Sequence, residues 1–178
     1  MRDREAAVRT SAGRPAACTR TRRPASAAAS TASTPGVRSR MQLQRTRDTR
    51  PELAVRRLLH ASGLRYRVDL APLPGLRRRA DLVFGPTRVA VYVDGCFWHG
   101  CPQHGNAPRA NSAYWAPKLA GNRARDVDTD LRLAAAGWLV LRFWEHCDAA
   151  AAAEAVIRAV ENRRQRRSAL GKIAGAAA

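Results

Sequence analysis

The run Val91-Tyr92-Val93-Asp94-Gly95-Cys96-Phe97-Trp98-His99-Gly100-Cys101-Pro102-Gln103-His104 constrains this chain more than any other segment. An apolar strand ends at Asp94 and is followed at once by two thiols, two imidazoles and two aromatic rings. An ordinary core strand does not end in four metal or proton ligands, and a bare metal knuckle has no need of Phe97 and Trp98. The segment is therefore expected to carry chemistry at the end of a buried strand. Cys96, Cys101 and His104 have the C-x4-C-x2-H spacing that suits three ligands of a tetrahedral Zn²⁺, and a distant fourth would come from His146 or Cys147. Such a closed site would be structural, fixing the segment that carries Phe97, Trp98 and His99.

At 178 residues the chain fits one domain. Its 32 Lys and Arg against 14 Asp and Glu give a net charge of +18, and Lys occurs only at positions 118 and 172. An Arg-dominated excess of this size points to a polyanionic partner, because each phosphate neutralised releases condensed counterions and the guanidinium fork matches phosphate and guanine edges. An Arg- and Ala-rich composition also follows from a GC-rich genome. Of the four cysteines, at 18, 96, 101 and 147, the last three lie close to histidines and the set does not form a secreted disulfide pattern, so a reducing cytoplasm is expected. Cys18 reads as a bystander. No stretch approaches the roughly 20 apolar residues of a membrane span, and a soluble protein is expected.

Residues 1–40 carry nine Arg against Asp3 and Glu5, with no apolar period, and read as a disordered tail. Met41 is a candidate true start. The folded domain is expected over 41–167, and the Ala/Gly-rich stretch 168–178 as a second disordered tail. Within the domain, Thr49-Arg50-Pro51-Glu52 reads as a capped helix start, giving a helix over about 50–62 that stops before Gly63. Residues 64–68 alternate as a strand. Residues 80–84 and 88–93 read as a hairpin around Gly85-Pro86 that could bring Asp81 and Asp94 together at one end of a sheet. A helix over about 117–136, a buried strand over 138–144 and a helix over about 148–166 complete an α-β-β-β-α-β-α order. A mixed sheet flanked by helices is the expected fold class.

On several ordered blocks the chain resembles the very short patch repair (Vsr-type) DNA mismatch endonucleases. These are Arg47-Asp48-Thr49-Arg50-Pro51-Glu52, Leu73-Pro74-Gly75, Ala80-Asp81-Leu82-Val83-Phe84, Val93 to Cys101, Tyr114-Trp115, Lys118, Asn122, Arg125-Asp126, Gly137-Trp138 and Trp144-Glu145-His146. The resemblance covers about residues 41–147 and implies a restriction-endonuclease-like fold. The activity implied is Mg²⁺-dependent hydrolysis of one phosphodiester, on the 5′ side of the thymine in a T:G mismatch of double-stranded DNA. It makes Asp81 a Mg²⁺ ligand, the main-chain carbonyl of Val93 a second, His99 the general base and Glu52 an acid that orders metal-bound water or His99. Zinc at Cys96, Cys101, His104 and His146 is implied too, with His146 favoured over Cys147. Phe97, Trp98 and Trp115 match aromatic wedges that unstack the duplex, a step that costs less at a mismatch.

The best-known branch of the family carries His where Asp94 stands. Asp94 cannot donate a proton to phosphate; it is retained as a catalytic residue, either as a second metal carboxylate or by orienting His99, with an Asp-Gly turn as the alternative. Glu52 could likewise be a helix N-terminal acid. Lys118, Asn122, Arg123 and Arg125 lie at helical spacing, which suits phosphate and groove contact or a solvated face. Trp138 and Trp144 are expected in the core. A monomer suffices for an asymmetric mismatch, and a DNA cytosine methyltransferase is the implied functional partner. A restriction- or defence-type nuclease of the same fold and a non-catalytic zinc-stapled DNA-binding module are the rival readings.

Overall fold

The computed structural model describes residues 47–105 and 112–176. The expected tail 1–40, Met41 and Cys18 lie outside the described residues. Helix α1 spans Arg50–Ala61, with Thr49 as N-cap and Pro51 in the first turn, where its missing N–H removes no intrahelical bond. Gly63 follows with φ 77°, the left-handed conformation that ends helices. Strands β1 (Arg67–Leu70), β2 (Ala80–Phe84), β3 (Val89–Asp94) and β4 (Leu139–Trp144) form one sheet in that order. Between β3 and β4 come the single turn α2 (Cys96–His99) and the long helix α3 (Ser112–Ala135), and α4 (Ala149–Ala176) closes the chain.

Strands β1, β2 and β3 pair antiparallel, whereas β4 runs parallel to β3 in the register Val89↔Leu139 to Asp94↔Trp144. A parallel pair needs a crossover, and α2 with α3 supplies it. Both sheet faces are covered. Val55 and Leu59 of α1 and Val156 and Val160 of α4 pack on Leu82, Val91, Leu141 and Phe143. Leu133 of α3 and Leu76 pack on Val83, Ala90, Tyr92 and Val140. Burial on both sides explains why β3 is an almost unbroken apolar run.

Three boundaries differ from expectation. Strand β1 starts at Arg67 rather than 64, because its pairing with β2 runs from Arg67↔Val83 to Leu70↔Ala80 and the residues before it lie outside the ladder. Helix α3 begins at Ser112 and takes Pro117 inside it. Pro117 is the sixth residue of the helix and forgoes its own i→i−4 bond, yet the helix runs through it, so proline did not mark the boundary. Helix α4 continues to Ala176, through the stretch expected to be a disordered tail from 168, since the Ala, Leu and Lys there propagate a helix already nucleated on the core. Trp138 is half-buried against the second cluster, as a core residue should be. Trp144 is buried too, but packed with Cys96 and Cys101 rather than in the main core.

Candidate active site and metal centre

The strand directions deliver three segments to one end of the sheet. β2 begins there at Asp81, antiparallel β3 ends there at Asp94, and β4, parallel to β3, ends there before Glu145 and His146. With the start of α1 and one face of α3 they line a cleft of about 620 Å³. The cleft contains Glu52, Asp81, Val93, Asp94, Trp98, His99, Lys118, Asn122 and Arg125, nine of the residues singled out from sequence.

Asp81 accepts a hydrogen bond on Oδ2 from the Val93 amide at 2.7 Å. One residue's N–H and C=O point to the same edge of a strand, so the Val93 carbonyl also faces the Asp81 side. The next carbonyl, of Asp94, faces the other way and accepts from the Glu145 amide at 2.9 Å. Burial pushes the Asp81 carboxyl up to about 6; the Val93 hydrogen bond opposes this, and the neighbouring Glu52 and Asp94 charges add to it. Glu52 is buried and accepts from the Asp48 amide at 3.0 Å and the Thr49 hydroxyl at 2.8 Å, with Arg56 Nη2 at 3.3 Å. The expected cap is thus reversed: the Thr49 hydroxyl donates to Glu52 instead of capping a backbone amide. Crowded carboxylates beside the Val93 carbonyl make an all-oxygen donor set that fits a hard divalent cation.

His99 faces Asp126 across the cleft, with Nδ1 2.7 Å from Asp126 Oδ2 and 3.8 Å from Asp94 Oδ1. A carboxylate only accepts, so Nδ1 carries the proton and Nε2 is left as the basic nitrogen. Burial alone would lower the His99 pKa, but the Asp126 hydrogen bond and the Asp94 charge outweigh it and raise it. Asp94 is buried and paired with Arg142 Nη1 through Oδ1 at 2.8 Å and Oδ2 at 3.1 Å.

Phe97 and Trp98 sit on the one-turn helix α2 rather than in a loop. They gather with Trp115 of α3 into a cluster with ring centroids 5.0 Å (Phe97–Trp98), 5.4 Å (Phe97–Trp115) and 5.9 Å (Trp98–Trp115) apart. Lys118 Nζ lies 5.4 Å from the Trp98 ring centre and 5.1 Å from that of Trp115. Asn122 Nδ2 donates to the Trp98 carbonyl at 3.0 Å, and Arg125 donates to the Asn122 side chain. Arg123, on the same helix, instead lies against Gly100 and does not line the cleft.

Behind α2, one ligand atom from each of Cys96, Cys101, His104 and His146 falls within 4.8 Å of every other. Cys96 Sγ is 3.0 Å from His146 Nδ1 and 4.0 Å from His104 Nδ1, and the two Nδ1 atoms are 3.2 Å apart. The four donors converge closely enough to hold a metal ion; a tetrahedral zinc, with Zn–S of about 2.3 Å and Zn–N of about 2.0 Å, would have edges of roughly 3.3–3.8 Å, and the separations of 3.0–4.0 Å scatter around these. Burial, and then the neighbouring Cys101, pushes the Cys96 thiol up to about 12. Cys147 packs beside the cluster without joining the four. Glu145 Oε1 accepts from the Cys96 amide at 2.7 Å and ties the end of β4 to the start of α2.

Gly100 ends α2 at φ 68°, ψ 55°, which turns the chain so that His99 faces the cleft and Cys101 the cysteine-histidine cluster. Any other residue there is strained, and a Cβ would lie 2.8 Å from Arg123 Nη1. Gly100→Ala is expected to cost about 1–2 kcal/mol and to lower the melting temperature by a few degrees in a thermal unfolding scan; an unchanged melt would contradict the left-handed turn.

Residues 32–104 match the family described as DNA mismatch endonuclease Vsr. The type II nicking enzyme V.NaeI of Lentzea aerocolonigenes is 46% identical to this chain over 119 residues, 66% of this chain and 72% of that relative. The chain belongs to the Vsr family. The type II nicking enzyme V.XorIIP of Xanthomonas oryzae is 46% identical over 107 residues, 59% of this chain and 76% of the relative. The DNA mismatch endonuclease Vsr of Escherichia coli is 38% identical over 102 residues, 56% and 63% of the two chains. As a Vsr-family member the chain is an endonuclease that hydrolyses DNA. Among the described residues no helix is long and apolar enough to cross a membrane.

Sequence reasoning gave no role to four residues of this Vsr-family site: Asp126, Asp130, Arg142 and Glu145. Asn122, Asp126 and Asp130 recur every fourth residue along α3, which is the signal that would have put them on one face. Arg142 was hidden inside an apolar strand.

Proposed function

We propose that this endonuclease nicks the thymine-bearing strand on the 5′ side of a T:G mismatch in double-stranded DNA, with Mg²⁺, and so initiates very short patch repair on a restriction-endonuclease-like core. The observation that carries this reading is the Phe97, Trp98 and Trp115 cluster, whose Trp98 lines the cleft together with His99 and Asp81. Aromatic faces next to a hydrolytic centre suit a duplex whose stack is opened, and a mispair opens most cheaply.

Asp81 and the Val93 carbonyl are the Mg²⁺ ligands of this reading, and Glu52 orders water around them. Mg²⁺ supplies stabilisation of the charge that builds on phosphorus during attack. His99 takes the proton of the attacking water on Nε2, its ring held by Asp126 through Nδ1. Since Val93 acts through its main chain, its side chain is not required. Lys118, Asn122 and Arg125 contact phosphate and groove on the α3 side. Zn²⁺ at Cys96, Cys101, His104 and His146 is the structural ion. The domain is taken to begin at 41 and to run through α4, acting as a monomer in the cytoplasm beside a DNA cytosine methyltransferase.

A specific observation keeps one rival, a restriction- or defence-type nuclease of the same fold, in play: relatives 46% identical are named type II nicking enzymes rather than mismatch endonucleases. A labelled duplex panel, matched, T:G and other mismatches, with Mg²⁺ or EDTA, decides. Mg²⁺-dependent cutting of only the thymine strand of T:G is expected. Equal cutting of both strands of matched DNA would overturn the mismatch reading, and binding without cleavage under any divalent metal would leave a non-catalytic zinc-stapled module.

A further inference from the structure

Arg142 is 6% exposed in the middle of the apolar strand β4. Burying a guanidinium is costly, and a well-packed apolar residue generally serves stability as well or better. Its surroundings account for it. Nη1 binds Asp94 at 2.8 and 3.1 Å, Nε binds Asp130 at 3.0 and 3.2 Å, and Nη2 lies 3.5 Å from Asp126 Oδ1. The Tyr92 ring lies beneath, 4.4 Å from Cζ.

We propose that Arg142 is a positioning residue for the base: it holds Asp126 in the orientation that aims His99, and Asp94 serves Arg142 rather than the catalytic cation. Asp126 has two oxygens with separate tasks, Oδ1 toward Arg142 and Oδ2 on His99 Nδ1 at 2.7 Å. Fixing the first fixes the second, and with it the imidazole plane. Both Asp94 oxygens face Arg142 Nη1, while the Asp94–His99 separation of 3.8 Å is beyond a hydrogen bond. A planar fork can span three carboxylates on two elements, β3 and α3, at once; the ammonium of a lysine, a point charge, cannot.

This inference rests on His99 acting as the base in the proposed reaction. It is tested by single-turnover cleavage, enzyme in excess, of whichever duplex in the panel the wild type nicks, with duplex affinity measured separately in EDTA. Arg142→Lys is expected to slow cleavage about 10–100-fold with affinity within about threefold. Asp126→Asn should slow it similarly, and the double variant should be no more than about threefold slower than Asp126→Asn alone, because both changes break one chain of contacts. Fully multiplicative losses, or a wild-type rate for Arg142→Lys, would overturn the proposal. If circular dichroism shows Arg142→Lys unfolded, Asp94→Asn takes its place, since Asn keeps an acceptor for Arg142. The Mg²⁺ concentration for half-maximal rate should then be unchanged, and a tenfold rise would make Asp94 a cation ligand and overturn the proposal. His99→Ala separates the two readings. Wild-type cleavage by that variant refutes His99 as base, whereas lost cleavage together with multiplicative Arg142 and Asp126 effects refutes the positioning role alone.

Discussion

Asp81→Asn abolishes strand cleavage, by at least about 10³-fold in the single-turnover rate or roughly 4 kcal/mol of barrier, while the protein stays folded and still binds duplex DNA. Asn keeps the size of Asp and a carbonyl oxygen to accept the Val93 amide, so the contact at 2.7 Å survives. What is lost is the negative charge offered to Mg²⁺. That charge is an unfavourable one in the metal-free protein, where burial and the neighbouring acids raise the Asp81 carboxyl to about 6. A folded-state pKa above the usual 3.8 means the ionised group destabilises the fold at neutral pH, and that the penalty fades as pH falls through about 6. The variant is therefore expected to melt no lower than wild type in EDTA at neutral pH. Cleavage within tenfold of wild type would remove Asp81 from the reaction, and a collapsed melt would make its role structural.

The second large effect concerns the cysteine-histidine cluster. The purified protein is expected to carry one zinc per chain, and Cys101→Ala to lose it, with a fall in melting temperature of about 10–20 °C, since losing a structural metal is among the few single changes worth several kcal/mol. Cobalt substitution should give the visible bands of a tetrahedral thiolate site. Cys147→Ser should keep its zinc, because Cys147 stands outside the four converging ligands and His146 inside them. Full stability of a zinc-free Cys101→Ala protein would refute a structural ion, and zinc loss in Cys147→Ser would replace His146 by Cys147. If both predictions hold, two cations serve one segment of chain from opposite sides, one for chemistry and one for shape.

Much of this was legible because the decisive signals are local. Helix α1, the β2–β3 hairpin and the buried strand β4 follow from caps, turn residues and apolar runs, and the convergence of Asp81 and Asp94 follows from the hairpin itself. Cys96, Cys101 and His104 could be named as candidate ligands from their spacing, whereas the spacing left the fourth open between His146 and Cys147 and only the family resemblance favoured His146. Illegible were the contacts made across the crossover. Asp126 looks like a solvated helix acid until α3 is laid against α2, and Arg142 looks like an interruption of a strand until its three carboxylates are assembled around it. Asp94 could not be decided between three roles for the same reason: its partner is 48 residues away. The length of α4 was underestimated because composition cannot tell a frayed Ala/Gly tail from a helix extended from a packed base.

The turn Cys96–His99 holds a cysteine ligand, two aromatic faces and an imidazole on four consecutive residues, each about 100° around the axis from the last. Its two ends are anchored, by the Glu145 contact to the Cys96 amide at one and by the left-handed Gly100 leading to Cys101 at the other. Whatever reads the base pair and whatever cuts the strand thus share one axle. On the proposed reading of Phe97 and Trp98 as wedges, a larger or smaller ring at either position is expected to re-aim His99 off Asp126 as it reshapes the wedge. Trp115 touches the same rings from α3, a separate element. On the same reading it is the place where the choice of substrate is expected to vary with the cutting edge left still.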